Sequence, residues 1–180
     1  MPHFYKTIYG WFDEGFARVY DTIVQEAQDG DWIVEIGSYK GCSSVYLLEK
    51  IRESNKKLGC HFYDKWTGNE YGIGTENGKM LPEFLNNLKN AGFEHDFDAV
   101  AIDSLEAAKF FNDGDLFAVM LDGCHVVHHV TKEIDLFLPK IKLGGILAFH
   151  DYKDPNLRKL FNQKLQPIED FDSTGLYRKL

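Results

Sequence analysis

The sequence lacks the features that mark membrane, secreted and nucleic-acid-binding proteins. Its three cysteines are odd in number and have no C-x-x-C spacing, so neither a disulfide framework nor a zinc knuckle is expected. No apolar run approaches the roughly 18 residues that cross a bilayer, and no secretory signal pattern opens the chain. Acidic residues outnumber basic ones by 28 to 20, and the net charge of −8 disfavours a nucleic-acid surface. We therefore expect a cytoplasmic protein that acts on a small molecule and has no nucleic-acid or membrane partner. The sequence leaves open whether the protein forms a homo-oligomer.

Strand-like and helical stretches alternate along the chain. Helical periodicity over 13–27 predicts a capping helix within the N-terminal segment 1–30. The predicted strands are 32–36, 59–63, 97–102, 116–121, 145–149, 166–170 and 175–179. Further helices are predicted at 42–54, 80–90, 104–111, 126–138 and 156–164. This alternation predicts a single α/β domain over 1–180, with a mostly parallel seven-stranded sheet, helices on both faces and a C-terminal antiparallel hairpin at the edge.

The first predicted strand ends in a glycine turn, in the segment WIVEIGSYKGCSS. Its glycines, Gly37 and Gly41, stand four residues apart and do not form the G-x-G-x-x-G pattern that binds a dinucleotide. Glu35 at the end of the strand would repel a pyrophosphate, but it suits a ligand that carries an amino group and a sulfonium. The turn therefore predicts S-adenosylmethionine as the cofactor.

Each predicted parallel strand ends in a carboxylate, alone or beside a histidine or serine. In open parallel sheets, ligands bind beyond the carboxyl ends of the strands. Asp64 lies 23 residues after Gly41, close to the spacing at which an acid accepts the ribose hydroxyls. Ser104 follows the third strand and either contacts the adenine ring or only caps the helix that it begins.

A second group of polar residues follows the fourth and fifth strands. Asp122 ends one strand with His125 three residues later, and His150 and Asp151 end the next. Adjacent strands lie about 4.8 Å apart, so Asp122, His150 and Asp151 can converge on a divalent cation, magnesium or manganese. In the alternative interpretation, His150 and Asp151 hydrogen-bond at a helix start and Asp122 touches the cofactor.

Other residues are expected to lie around the site without a direct part in the chemistry. His128 and His129 are expected on the helix surface or at the substrate rim, because consecutive helical residues point apart. The Gly-rich segment 65–79 is predicted to be a lid loop, with a disordered insertion as the alternative. Five aromatic residues of the N-terminal segment are expected to shape the acceptor pocket, namely Phe4, Tyr5, Tyr9, Trp11 and Phe12.

Five segments together resemble a known family: VEIGSYKGCSS, FYDKWTG, DSLEAAKFF, LDGCH and LGGILAFHDY. In this order, over about 10–152, they resemble the class I S-adenosylmethionine-dependent methyltransferases with their Rossmann-like domain. More narrowly, they resemble the small-molecule O-methyltransferases grouped with macrolide-sugar O-methyltransferases and cephalosporin-hydroxylase-like proteins. The resemblance implies that the cofactor contacts Glu35, Gly37, Ser38, Tyr39, Gly41, Ser43, Asp64, Trp66, Asp103, Ser104 and Asp122.

The resemblance also implies chemistry at the second group of residues. Asp122 with the pair at 150 and 151 would hold a divalent ion, and His125 would act as a general base. This chain departs from the family pattern where His150 stands in place of a carboxylate common among metal-binding members. Val127 and His128 likewise replace an aromatic residue and an acid.

The leading hypothesis is methyl transfer from S-adenosylmethionine to a hydroxyl of a small molecule, such as a sugar, with Asp122 and His125 as catalytic residues. The alternatives are a metal-free O- or N-methyltransferase and a non-catalytic S-adenosylmethionine-binding protein. A nicotinamide oxidoreductase is disfavoured, because the glycine spacing does not match.

Overall fold

The structure is a computed structural model that describes residues 3–68, 80–150, 155–171 and 173–180. Within them, seven strands form one sheet in the order β3-β2-β1-β4-β5-β7-β6. The strands are β1 (Trp32–Ile36), β2 (Gly59–Asp64), β3 (Asp98–Ala101), β4 (Leu116–Leu121), β5 (Ile141–His150), β6 (Gln166–Phe171) and β7 (Thr174–Arg178). The predicted α/β fold is confirmed.

Six α-helices accompany the sheet in the described part of the chain. They are α1 (Glu14–Glu26), α2 (Cys42–Ser54), α3 (Met80–Asn90), α4 (Ser104–Ala107), α5 (Val127–Lys140) and α6 (Pro155–Lys164). The predicted N-terminal helix is α1, which begins where the Asp13 carboxylate accepts a hydrogen bond from the Phe16 backbone N–H. None of the described helices is long and apolar enough to cross a membrane.

Strands β1 to β5 run parallel, and the chain order reverses between neighbours β1 and β4. The predicted C-terminal hairpin is present, with β7 antiparallel to both β5 and β6. The antiparallel strand β7 therefore lies one place in from the edge, and β6 forms the edge itself. The reversal at β1 and β4 opens a crevice at their carboxyl ends, where the predicted site residues lie.

Two apolar layers, one on each face, hold the sheet between the helices. Alternate residues of β1 serve opposite layers: Ile33 packs with the layer that contains Phe16 and Leu47, and Val34 packs with the layer that contains Ile134. The first layer is covered by α1, α2 and α3, and the second by α4, α5 and α6. Because successive β1 side chains point to opposite faces of the sheet, each of them packs into one apolar layer only.

Two elements differ by more than two residues from the boundaries that the sequence predicts. Helix α4 ends at Ala107 and continues as a short 3-10 helix over Ala108–Phe110. Strand β5 begins at Ile141 rather than at residue 145, and its pairing with β4 shifts register between Leu116 and Ala118. Gly144 lies in this irregular stretch with φ of 77°, so its glycine marks a bulge inside the strand rather than the strand's start.

Candidate functional site

A cavity of about 700 Å³ opens at the carboxyl ends of β1 and β4. Its volume lies in the range of small-molecule and cofactor sites. Nine of the predicted site residues line it: Gly37, Ser38, Tyr39, Ser43, Asp64, Ser104, Asp122, His125 and His150. The strand ends that the sequence singled out therefore meet around one space.

The glycine turn after β1 approaches the backbone of β4 closely. A Cβ atom at Gly37 would lie 2.4 Å from the carbonyl oxygen of Asp122, and Gly37 has φ of 90°. Both observations require glycine here. Ser38 follows with a buried hydroxyl that lines the cavity and has no hydrogen-bond partner among the described residues. A buried hydroxyl in this state suits a bound polar ligand.

A hydrogen-bonded network fixes Tyr39, whose φ of 45° is unusual for a non-glycine residue. The Asp64 carboxylate accepts hydrogen bonds from the backbone N–H groups of Tyr39, at 2.9 Å, and Trp66, at 2.7 Å. The Trp66 indole N–H donates to the Tyr39 carbonyl at 2.7 Å. Burial raises the pKa of Asp64, and these amide hydrogen bonds oppose that shift. Asp64 thus faces the cavity while it holds the turn in place.

Trp66, Gly41 and Asp103 lie behind the cavity wall instead of lining it. Trp66 is buried, with its ring 5.0 Å from that of Phe84. A Cβ atom at Gly41 would lie 2.7 Å from Leu88 Cδ1, so this glycine allows α2 to pack on α3. Asp103 caps α4 and lies 2.6 Å from Lys65 Nζ. In this arrangement the three residues support the wall, and their predicted contacts with the cofactor stay predictions.

Glu35 also lies outside the lining of the cavity, and its predicted contact with the cofactor stays a prediction. It shares the parity of Ile33 on β1, so its side chain points toward α1 and α2 and is fully buried. Its carboxylate accepts hydrogen bonds from Ser43 Oγ at 2.5 Å and Ser44 Oγ at 2.9 Å. Burial raises the pKa of Glu35 to about 7, although these hydroxyls act in the opposite direction. Glu35 therefore anchors the start of α2 and does not face the cavity.

Asp122 lies between two histidines at the end of β4. His150 Nδ1 lies 2.9 Å from Asp122 Oδ1, and His125 Nε2 lies 3.6 Å from the same oxygen. Burial raises the pKa of Asp122, but the interactions of its carboxylate with His125 and His150 outweigh burial, so the pKa lies below its usual value. Asp122 is therefore an ionised carboxylate that holds two imidazole rings at the cavity.

His150 has the contacts of a structural residue. Its ring stacks on Phe16 with centroids 4.9 Å apart, and its Nε2 lies 3.9 Å from Asp13 Oδ2. The described residues contain no group of three or more His, Cys, Asp or Glu side chains suited to a metal ion. Asp151, the third predicted ligand, lies outside the described residues. The divalent cation is therefore not supported by the described geometry and stays a prediction.

The other end of the cavity carries a polar cluster whose chemistry the sequence interpretation missed. His129 Nε2 lies 3.0 Å from Ser104 Oγ and 3.2 Å from Glu133 Oε1, and all three residues line the cavity. Burial raises the pKa of Glu133 to about 7, with the Ser104 hydroxyl opposing the shift. Burial also lowers the pKa of His129. The i, i+4 spacing of His129 and Glu133 on α5 was the available signal, but it also occurs in ordinary surface pairs.

The family described as "Methyltransferase domain" matches residues 34–152, well over half of the chain. The chain belongs to this methyltransferase family. S-adenosylmethionine is the cofactor expected for the family. The matched range runs from β1 to just beyond β5, and it includes the glycine turn, Asp122 and His125.

Solved methyltransferase structures share the fold. An rRNA methylase from Streptococcus thermophilus has a TM-score of 0.64 at 13% identity, over 95% of this chain and 99% of that chain. An S-adenosylmethionine-dependent O-methyltransferase from Thermotoga maritima has a TM-score of 0.65 at 13% identity, over 97% and 68%. The protein SMU.1697c from Streptococcus mutans, solved in complex with SAH, has a TM-score of 0.65 at 12% identity, over 94% and 99%. At such low identity these likenesses show the fold alone.

One curated relative matches in sequence. The uncharacterized protein y4gI of Sinorhizobium fredii (strain NBRC 101917 / NGR234) is 22% identical over 160 residues. The aligned region covers 84% of this chain and 16% of that protein, so the chain spans about a sixth of the relative's length.

The cavity fits the cofactor that the family uses. The close approach at Gly37 keeps side-chain atoms out of the space between β1 and β4. Ser38 Oγ and the Glu133 carboxylate are buried polar groups at its wall without a hydrogen bond of good geometry among the described residues. Because S-adenosylmethionine carries polar groups at both ends, a cavity with such groups in its wall suits it.

Proposed function

We propose that this methyltransferase transfers the methyl group of S-adenosylmethionine to a hydroxyl of a small molecule. The observation that carries the proposal is the placement of Asp122 and His125 in the wall of the cavity, beside the glycine turn. When bound, the cofactor supplies an electrophilic methyl group. The protein's own residues must then hold the acceptor oxygen in line with it, about 3 Å away, and remove its proton.

His125 is the proposed general base and Asp122 its partner. The ionised Asp122 carboxylate lies 3.6 Å from His125 Nε2 and orients the imidazole ring that takes the proton of the acceptor. The same carboxylate stabilises the imidazolium once it has formed. His150, held against Asp122 and Phe16, keeps the carboxylate in place. No step in this scheme is assigned to a cation.

The acceptor site is proposed at the aromatic mouth of the cavity. Trp11 lines the cavity and is 51% exposed, and its ring centroid lies 5.4 Å from that of Tyr39. Tyr9, 65% exposed, completes the group at 6.0 Å from Trp11. Exposed aromatic rings offer flat apolar faces that suit a sugar ring or a planar alcohol. The net charge of −8 supports a small acceptor over a nucleic acid.

A methyl-transfer assay on a panel of acceptors tests this proposal. Wild-type protein is incubated with methyl-labelled S-adenosylmethionine and with sugars, phenols, amines or RNA, and the labelled products are identified. The proposal expects label on a hydroxyl oxygen and a loss of transfer in Trp11→Ala. Label on RNA, or on amine nitrogen alone, would contradict it.

One observation favours a metal-free reaction. The His150 ring is hydrogen-bonded to Asp122 and stacked on Phe16, as in a residue with a structural role. The same assay is repeated after exhaustive chelation and then with added magnesium or manganese. Transfer that is unchanged by chelation supports the metal-free reaction. Transfer that is lost and then restored by a cation supports the predicted Asp122, His150 and Asp151 site.

A further inference from the structure

The polar cluster on α5 contains a carboxylate whose burial costs folding free energy. Glu133 is 1% exposed, and neither of its carboxylate oxygens has a hydrogen bond of good geometry among the described residues. Removing a carboxyl group from water without such compensation is unfavourable, and an apolar side chain would serve the core better. Glu133 nevertheless lines the cavity. A buried polar group in this position is explained by a ligand that completes its hydrogen bonds.

The strand order indicates which part of the cofactor lies beside Glu133. From β1 toward the edge the sheet runs β1, β2, β3, so the turn at Gly37, the ribose candidate Asp64 and Ser104 follow in that direction. A cofactor with its methionine part at the turn and its ribose at Asp64 extends its base toward Ser104. His129 lies 3.0 Å from Ser104 Oγ and 3.2 Å from Glu133 Oε1, so Glu133 belongs to this end of the cavity.

We propose that the Glu133 carboxyl group recognises the exocyclic amino group of the cofactor's adenine ring. The inference rests on the proposed function, since it assumes that the cavity binds S-adenosylmethionine. An amino group on an aromatic ring donates hydrogen bonds, and Glu133 offers carboxyl oxygens to accept them. Ser104 and His129 flank the carboxyl group and limit its movement. Glu133 is thus a specificity-determining residue on α5, in addition to the residues of the β3 end.

Binding measurements with two matched ligands test this inference without any need for turnover. The ligands are S-adenosylhomocysteine and its 6-deamino analogue, in which hydrogen replaces the exocyclic amino group. Calorimetric titration of the wild-type protein should give about 10-fold weaker binding for the analogue, because the buried carboxyl group is then left without its donor. In Glu133→Met the two ligands should bind within about 2-fold of each other.

Two further variants separate hydrogen bonding from charge. Glu133→Gln keeps an acceptor oxygen and should keep the preference for S-adenosylhomocysteine. Glu106→Gln, on the neighbouring helix α4 where Glu106 pairs with Lys109 in solvent, should behave as the wild type. Thermal unfolding without ligand gives an independent readout: Glu133→Met should melt at or above the wild-type temperature, because an apolar side chain replaces a buried carboxylate whose only close charged partner among the described residues is His129. If Glu133→Met does not fold, the Glu133→Leu variant is measured in its place.

The outcomes distinguish this inference from the proposed function. A wild-type protein that binds S-adenosylhomocysteine without preference over the analogue overturns the role of Glu133 alone. Retention of the full preference in Glu133→Met has the same consequence. A wild-type protein that binds neither ligand overturns both the cofactor assignment on which the proposed function depends and this inference.

Discussion

His150 Nδ1 lies 2.9 Å from Asp122 Oδ1 and joins the carboxyl ends of β5 and β4 at the cavity. The same Asp122 oxygen lies 3.6 Å from Nε2 of His125, the proposed base. The position of His125 therefore depends on the contact between His150 and the Asp122 carboxylate. The stacking of His150 on Phe16 extends this support to α1. The candidate catalytic residues are therefore held by the core of the domain.

His150 is expected to act as a positioning residue. Leucine at this position removes the contact with Asp122, and we expect kcat to fall by about 10-fold to 100-fold. Asparagine can still donate to Asp122 and should restore most of kcat. Both variants should bind S-adenosylhomocysteine within about 3-fold of the wild type. His128→Asn is the matched control, since His128 is exposed on α5 and does not line the cavity. Equal loss of kcat and ligand affinity in both His150 variants would indicate a purely structural role.

Gly37 is expected to tolerate no side chain. In Gly37→Ala the new Cβ meets the Asp122 carbonyl oxygen at 2.4 Å in a left-handed conformation, and we expect a loss of about 2–4 kcal/mol in the free energy of unfolding. Gly30 provides the control, because its φ is 91° but nothing lies within 4 Å of its Cβ position. Gly30→Ala should cost about 1 kcal/mol by urea unfolding. Equal losses in the two variants would show that the close approach contributes nothing.

The stability of the protein should depend on pH through Glu35. The pKa of Glu35 is 4.5 in its usual state and about 7 in the fold, so between these pH values the folded protein holds a proton that the unfolded chain releases. The free energy of unfolding should therefore fall as the pH rises from about 4.5 to about 7. Glu35→Gln should weaken this dependence, as measured by denaturant unfolding at pH 5 and pH 7.5. An unchanged slope in the variant would contradict the assignment. Glu133→Gln should weaken the dependence in the same direction.

Lys56 is expected to stabilise the end of α1. Its ammonium group donates to the carbonyl oxygens of Val24, Gln25 and Ala27, each at 2.7 Å. Lys56→Met keeps much of the apolar stem and should lower the free energy of unfolding by about 1–3 kcal/mol. Lys57→Met, at an exposed neighbour, should change it by less than about 0.5 kcal/mol. A loss of similar size in both variants would argue against the three hydrogen bonds.

The strands and the residues at their ends could be predicted from the sequence with good accuracy. The bounds of β1 and β4 agree with the predictions because each is an apolar run that ends in a carboxylate or a glycine turn. Asp64, Asp122 and His125 meet at one cavity because the carboxyl ends of parallel strands share one edge of the sheet.

The remaining site residues depended on information that the sequence does not contain. The direction of Glu35 follows from which face of the sheet α1 and α2 cover, and a strand-end position alone does not give that. Glu133 resembles a surface acid one helical turn after a histidine, and its burial depends on elements distant in sequence that pack against α5. Long-range packing, rather than local pattern, decided both cases.

The most direct test of the proposed mechanism compares turnover and ligand binding in His125→Ala. If His125 acts as a base in methyl transfer only, kcat of His125→Ala should fall by about 100-fold or more. The affinity for S-adenosylhomocysteine, measured by calorimetry on the same sample, should stay within about 3-fold of the wild type. A variant that retains wild-type kcat on the identified acceptor would contradict the role of His125.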